Sequence, residues 1–253
     1  MKLWWLLVSK YSYLPLPQRW QAAPAELPRA LVWLPLWGLA AGLLNAAAAR
    51  WVWTLNSRWL AALLVFLTVF GNGALWLRDI LSVCSGLKPP PLPPDLLSAA
   101  GLPAPPPPKP LPLNRGALLS GCLYLLLQYG CFLALLSLQA HFSVYVLAAV
   151  GSRFIYLWGV YDFAALQPAF LHRTFPRRDF RRAALISLMT AAACAWAAPA
   201  LLPALVAALL AAVLFYRRRV NALGALDEAA YGAAAGWSEI LFYLGAVLFF
   251  AWG

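Results

Sequence analysis

"ALLSGCLYLLLQYGCFLALLSL", residues 117–138, runs for twenty-two residues without a charged side chain. An α-helix rises about 1.5 Å per residue, so roughly 20 apolar residues cross a 30 Å hydrocarbon layer. The stretch therefore reads as a membrane-spanning helix. Lipid permits only helices or closed barrels, because each backbone N–H and C=O must be satisfied within the segment. Long Leu- and Ala-rich runs choose the helix.

The same pattern recurs on both sides. Apolar spans lie at 31–49, 59–77, 142–161 and 229–252, and 183–216 is one apolar stretch interrupted by Pro199 and Pro203. Across the 253 residues, 64% are hydrophobic and 11% charged, where a soluble domain carries roughly 25% charged residues. The chain is predicted to be an all-α, polytopic integral membrane bundle, one domain over 1–253.

Residues 183–216 fit either one long kinked helix or a hairpin turning near the two prolines. Charge decides between them. With a hairpin, hence about seven spans, 16 basic residues fall on the N-terminal side and two, Arg50 and Arg58, on the other, with Arg153 inside a span. A single helix would move Arg217, Arg218 and Arg219 across and give 13 against 5. Cytoplasmic loops collect Lys and Arg, so the hairpin is expected, with a cytoplasmic N-terminus and arms of about 16 residues, short for the bilayer. The net charge of +11 is read as this bias, not as a nucleic-acid surface.

Residues 88–112 hold 12 of the 21 prolines and cannot form a continuous helix; they read as a stiff Pro-rich cytoplasmic loop. The opening "MKLWWLLVSK" is too short for a signal-peptide core. Cys84, Cys122, Cys131 and Cys194 form no CxxC pair, and His141 and His172 stand apart, so zinc and disulfide frameworks are not expected.

Ionisable groups inside spans are costly and are usually paired or face a cavity. Arg153 and Glu239 are such groups and are candidate substrate-binding residues. The basic runs "HRTFPRRDFRR" (172–182) and Arg217–Arg219 flank the hairpin and suit contact with anionic lipid or the steering of a pyrophosphate. In "WLRDILSVCSG" (76–86), Arg78, Ser82 and Ser85 share one helix face through i, i+4, i+7 spacing. Aspartates at those places would suit Mg²⁺, which takes hard oxygen ligands and substrate phosphates. An arginine and two serines do not, and Asp79 lies one position off the face.

Taken in order, these segments resemble the cobalamin synthase family, adenosylcobinamide-GDP ribazoletransferase. "YLPLPQRW" (13–20), "PRALVWLPLWGLAAGLL" (28–44), "GNGALWLRDILSVCSGL" (71–87), "LNRGALLSG" (113–121), "GSR" (151–153) and "ALGALDEAAYGAAAGWSEILFYLGAV" (222–247) follow the family's elements collinearly. The resemblance implies an inner-membrane transferase that joins ribazole to GDP-activated cobinamide and releases GMP, with Mg²⁺ at the diphosphate. Its implied substrates are a corrinoid and a nucleotide, and partner membrane proteins or self-association are compatible with it. At the family's metal motif, Trp76 stands at the histidine position, Arg78, Ser82 and Ser85 at the three aspartate positions, and Asp79 at a glycine. Arg115 matches the second element. In the last element, Asp227 and Glu228 lie at or beside the Gly-Asp pair, and Glu239 matches the second glutamate. Candidate catalytic positions are therefore Arg78, Asp79, Ser82, Ser85, Arg115, Asp227 and Glu228, and no metal ligand set is assigned. Three readings follow: a pseudoenzyme keeping the scaffold as a binding or accessory subunit; a working transferase using Asp79, Asp227 and Glu228, with Arg78 and Arg115 on the phosphates; and a transporter with Arg153 and Glu239 lining its path.

Overall fold

The computed structural model describes residues 3–5, 7, 27–51, 56–71, 75–85, 114–162, 177–223, 226 and 228–252. The Pro-rich segment 88–112 and Asp227 lie outside them. Among the described residues the chain is helical with no strand. After a short turn at Leu27–Ala30 and a 3-10 turn at Leu31–Trp33, the helices are α1 (Leu34–Trp51), α2 (Ser57–Gly71), α3 (Leu75–Cys84), α4 (Arg115–Ser137), α5 (Ser143–Asp162), α6 (Arg177–Ala197), α7 (Leu202–Leu223) and α8 (Glu228–Trp252).

Among the described residues, five segments are long and apolar enough to cross a membrane: Leu31–Arg50, Arg115–Ser137, Ser143–Asp162, Pro199–Ala222 and Ala229–Trp252. The span expected at 59–77 is not one straight helix. It divides into α2 and α3, which differ in direction by 81°, so the two count together as at most a sixth span. The Trp37 indole donates to the carbonyl of Gly71 at 3.0 Å, satisfying one of the acceptors that ending α2 there exposes.

α5 forms the axis and is buried along nearly its whole length. α1 packs on it through a stripe of small residues, Gly38, Gly42 and Ala46. A Cβ at Gly38 would stand 2.7 Å from the Ala149 carbonyl oxygen, and one at Gly42 2.7 Å from the Val146 Cα. In lipid no hydrophobic force draws helices together, so close backbone approach across small residues supplies the attraction. Between α1 and α2, buried Asn45 donates to Thr68 Oγ1 at 2.9 Å.

The stretch 183–216 is two helices that fold back on each other's direction. α6 runs antiparallel to α5: Phe180 stacks on Tyr161 at 4.0 Å, while Cys194, at the far end of α6, lies beside Ser143. α7 runs parallel to α5: a Cβ at Gly151 would touch Leu205 at 3.2 Å, and Tyr216 Oη donates to the Ile155 carbonyl at 3.0 Å. The break falls at Ala198, with Pro199 opening the 3-10 turn Pro199–Leu201. The arms are longer than the predicted 16 residues, 21 and 22, because the basic flanks Arg177–Arg182 and Arg217–Arg219 are themselves helical. Both flanks lie at the bundle end that holds Asp162.

The α4–α5 turn uses the positive φ of Gln139, 50°, and Ala140 N–H closes it on the Leu135 carbonyl at 2.9 Å. His141 Nδ1 lies 2.8 Å from Ser143 Oγ and accepts from the Ser143 N–H at 3.3 Å. That histidine serves a helix start.

Candidate functional site

α3 carries the stretch 76–86 and seats one face in the bundle. Trp76, Asp79 and Ile80 are buried there, at the i, i+3, i+4 spacing of a packed helix face. The opposing surface is α8 at two glycines one turn apart. A Cβ at Gly236 would lie 3.1 Å from both Ile80 Cδ1 and Trp76 Cβ, and one at Gly232 would overlap the Asp79 carboxylate. Asp79, the acid one position off the motif face, is thus the polar group turned inward.

The motif face itself turns outward. Arg78 is 58% exposed, against 5% for the Asp79 side chain, and Ser82 and Ser85 are half-buried. Arg78 donates to Asp79 Oδ1 from Nε at 3.2 Å and from Nη2 at 3.1 Å, which fixes the guanidinium over its own helix. Ser85 Oγ donates to the Ser82 carbonyl at 2.7 Å. Asn114 joins this helix to the next element: its Nδ2 donates to the Ser85 carbonyl at 3.1 Å and its Oδ1 caps the Ala117 N–H at 2.7 Å. Arg115, exposed at the first position of α4, is thereby held near the end of α3. The structure brings Arg78, Asp79, Ser82, Ser85 and Arg115 to one end of the bundle. Asp227 lies outside the described residues. Glu228 opens α8 one turn before Gly232, and its side chain is outside the description.

Arg153 and Glu239 form a second cluster, inside the bundle. Both are 2% exposed, and they are each other's electrostatic partners. Arg153 Nη1 donates to the Ala149 carbonyl at 2.8 Å and to Ser152 Oγ at 3.2 Å. Tyr243 donates to Glu239 Oε1 at 3.4 Å. Trp76 and Ser152 flank the same carboxylate, and the Trp76 ring lies 6.0 Å from the Arg153 guanidinium carbon, within cation–π range. Gln128 is fully buried on α4, and neither of its amide atoms has a hydrogen bond.

Sequence reasoning found Arg153 and Glu239 but missed Trp76, Ser152 and Tyr243 as their neighbours. The i, i+4 spacing of Glu239 and Tyr243 and the adjacency of Ser152 and Arg153 were available signals. Nothing in the sequence joins Trp76 to them.

The described residues do not fit Mg²⁺. The ion takes near-octahedral oxygen ligands, with one or two carboxylates beside substrate phosphates. No three acids, histidines or cysteines gather among the described residues. The one described carboxylate of α3 is buried and engaged by Arg78, and the outward face presents a cation and two hydroxyls.

The family model described as Cobalamin-5-phosphate synthase matches residues 3–79 and 115–247. The match stops at Asp79, inside the motif helix, and resumes at the first residue of α4. An adenosylcobinamide-GDP ribazoletransferase of Desulfitobacterium hafniense (strain Y51) is 27% identical over 256 residues, covering 97% of this chain and 96% of that protein. No solved structure matches the chain. The matched segments hold Arg78, Asp79, Arg115, Arg153 and Glu239 but not Ser82 or Ser85, and the chain belongs to the cobalamin-5-phosphate synthase family.

Proposed function

We propose that this chain is a bacterial inner-membrane member of the cobalamin synthase family, impaired as a ribazoletransferase and serving as a phosphate-holding binding or accessory subunit. The observation that carries this is the Arg78–Asp79 pair. Where the resemblance expects a metal-ligating acid, a guanidinium is fixed by the one buried carboxylate of the helix. Such a face can hold a phosphate oxygen through charge-assisted N–H donation, with Arg115 near the same end. Phosphoryl transfer gains several kcal/mol of charge stabilisation from bound metal, and the described residues offer no carboxylate clamp for one.

The test supplies adenosylcobinamide-GDP, α-ribazole and Mg²⁺ to the chain in proteoliposomes and follows GMP release beside the Desulfitobacterium relative. A rate lower by roughly 10³-fold or more is expected, the equivalent of about 4 kcal/mol of lost transition-state stabilisation. A rate within a few-fold of the relative would overturn the impaired reading. It would favour the alternative, in which Asp79 acts with Asp227 and Glu228. The placement of Glu228 one turn before the Asp79-contacting Gly232 is the observation behind that alternative.

The basic bundle end is assigned to the cytoplasm. Ten described arginines (29, 78, 115, 177, 178, 181, 182, 217, 218 and 219) gather there, against Arg50 and Arg58 at the other end, as the positive-inside rule requires. A cysteine placed at Arg218, with Cys84, Cys122, Cys131 and Cys194 replaced, should resist an impermeant maleimide added from outside. Labelling in intact cells would reverse the orientation.

A further inference from the structure

The first two turns of α6 border an open surface hollow of about 370 Å³, lined by Arg177, Arg178, Arg181, Arg182 and Leu185. Its direction is set from the bundle side. Phe180 stacks on Tyr161 at 4.0 Å and on Phe154 at 6.4 Å, and Ala183 and Ser187 are buried below it. That inward stripe at 180, 183 and 187 turns the arginines and Leu185 away from the bundle. Asp179 pairs with Arg182 at 3.5 Å, and among the described residues 177–182 it is the one carboxylate beside four guanidinium groups.

The outward stripe continues beyond the basic turns. Leu185 is 56% exposed, Leu188 66% and Met189 65%. A charged recess thus passes, on one face of one helix, into an exposed apolar track. That sequence of chemistry matches an anionic amphiphile: phosphate oxygens accept from the arginine forks, and a hydrocarbon chain lies along the track. We propose that this hollow seats one phospholipid with a net-negative phosphate headgroup, its acyl chain lying along Leu185, Leu188 and Met189. The site lies outside the motif helix and does not depend on whether the transferase reaction runs.

Native mass spectrometry of the full chain in detergent tests this, with phosphatidylglycerol and phosphatidylcholine of matched acyl chains. One phosphatidylglycerol should be retained in preference to phosphatidylcholine. The variant carrying Arg178→Gln, Arg181→Gln and Arg182→Gln should bind it roughly 100-fold more weakly, since each basic residue near an anionic lipid surface contributes about a factor of five. The equal charge removal Arg217→Gln, Arg218→Gln and Arg219→Gln should leave the retained lipid in place. Leu185→Ser keeps every charge and should weaken phosphatidylglycerol retention without changing the response to inorganic pyrophosphate. Equal retention of both lipids, or equal loss from the two arginine triples, would overturn the proposal. Displacement of phosphatidylglycerol by pyrophosphate, with Leu185→Ser retaining lipid normally, would overturn it in favour of a free diphosphate ligand. Should the Arg178 triple unfold, the wild-type salt response decides: retention that persists unchanged in high salt would overturn the proposal, because exposed ionic contacts are screened.

Discussion

Replacing Arg153 with Met should lower the unfolding free energy in mixed micelles by about 3–5 kcal/mol, because it leaves the Glu239 charge buried without its partner. Both groups are 2% exposed, and Tyr243, Ser152 and Trp76 beside Glu239 carry no charge. The double variant Arg153→Met with Glu239→Leu removes both charges and should recover most of that loss, as buried pairs exchanged for apolar residues often do. A double-mutant cycle separates the pair from the packing of each side chain. If Arg153→Met alone costs under 1 kcal/mol, the electrostatic attraction between these two groups does not link α5 to α8. In this arrangement both groups are closed to water, whereas a transport path running through them would open them to it.

The second large effect is steric. Gly38→Leu together with Gly42→Leu should separate α1 from α5 and cost about 3 kcal/mol or more. The atoms a new side chain would meet include backbone, the Ala149 carbonyl oxygen and the Val146 Cα, each at 2.7 Å, so no rotamer change relieves the clash. Gly130→Ala is the contrast: no atom lies within 4 Å of a Cβ there, and a helix-interior alanine is favoured by about 0.8–1 kcal/mol over glycine. Size-exclusion profiles and thermal unfolding in detergent read both. Normal folding of the double variant would show that the small-residue stripe is not the contact surface.

Hydropathy showed which segments are helical and, through the arginines, that 183–216 turns back. It did not reveal which way each helix faces. On α4, Leu119 and Leu126 are 70% and 68% exposed while Phe132 and Leu135 are fully buried. Lipid and core demand the same apolar chemistry, so the sequence carries no contrast to read. The bend between Gly71 and Leu75 was likewise hidden, because an apolar run reports its surroundings and not its axis, although "GNG" at 71–73 is a breaker signal. At α3 the motif positions were legible, but their outward direction was not. The pairing of Arg78 with its own neighbour Asp79 became visible only once Gly232 fixed the carboxylate inward.

α3 holds its place through Trp76 and Ile80 against Gly236, while residues 78, 82 and 85 face away from that contact. Assembly of the bundle and any reaction at its end therefore answer to different residues. Substitutions at 78, 82 and 85 leave the contacts of Trp76 and Ile80 with Gly236 in place, so a gene of this family can change there while its product still inserts and folds. The scaffold that seats the helix and the groups that meet a ligand at its end are thus free to change at different rates.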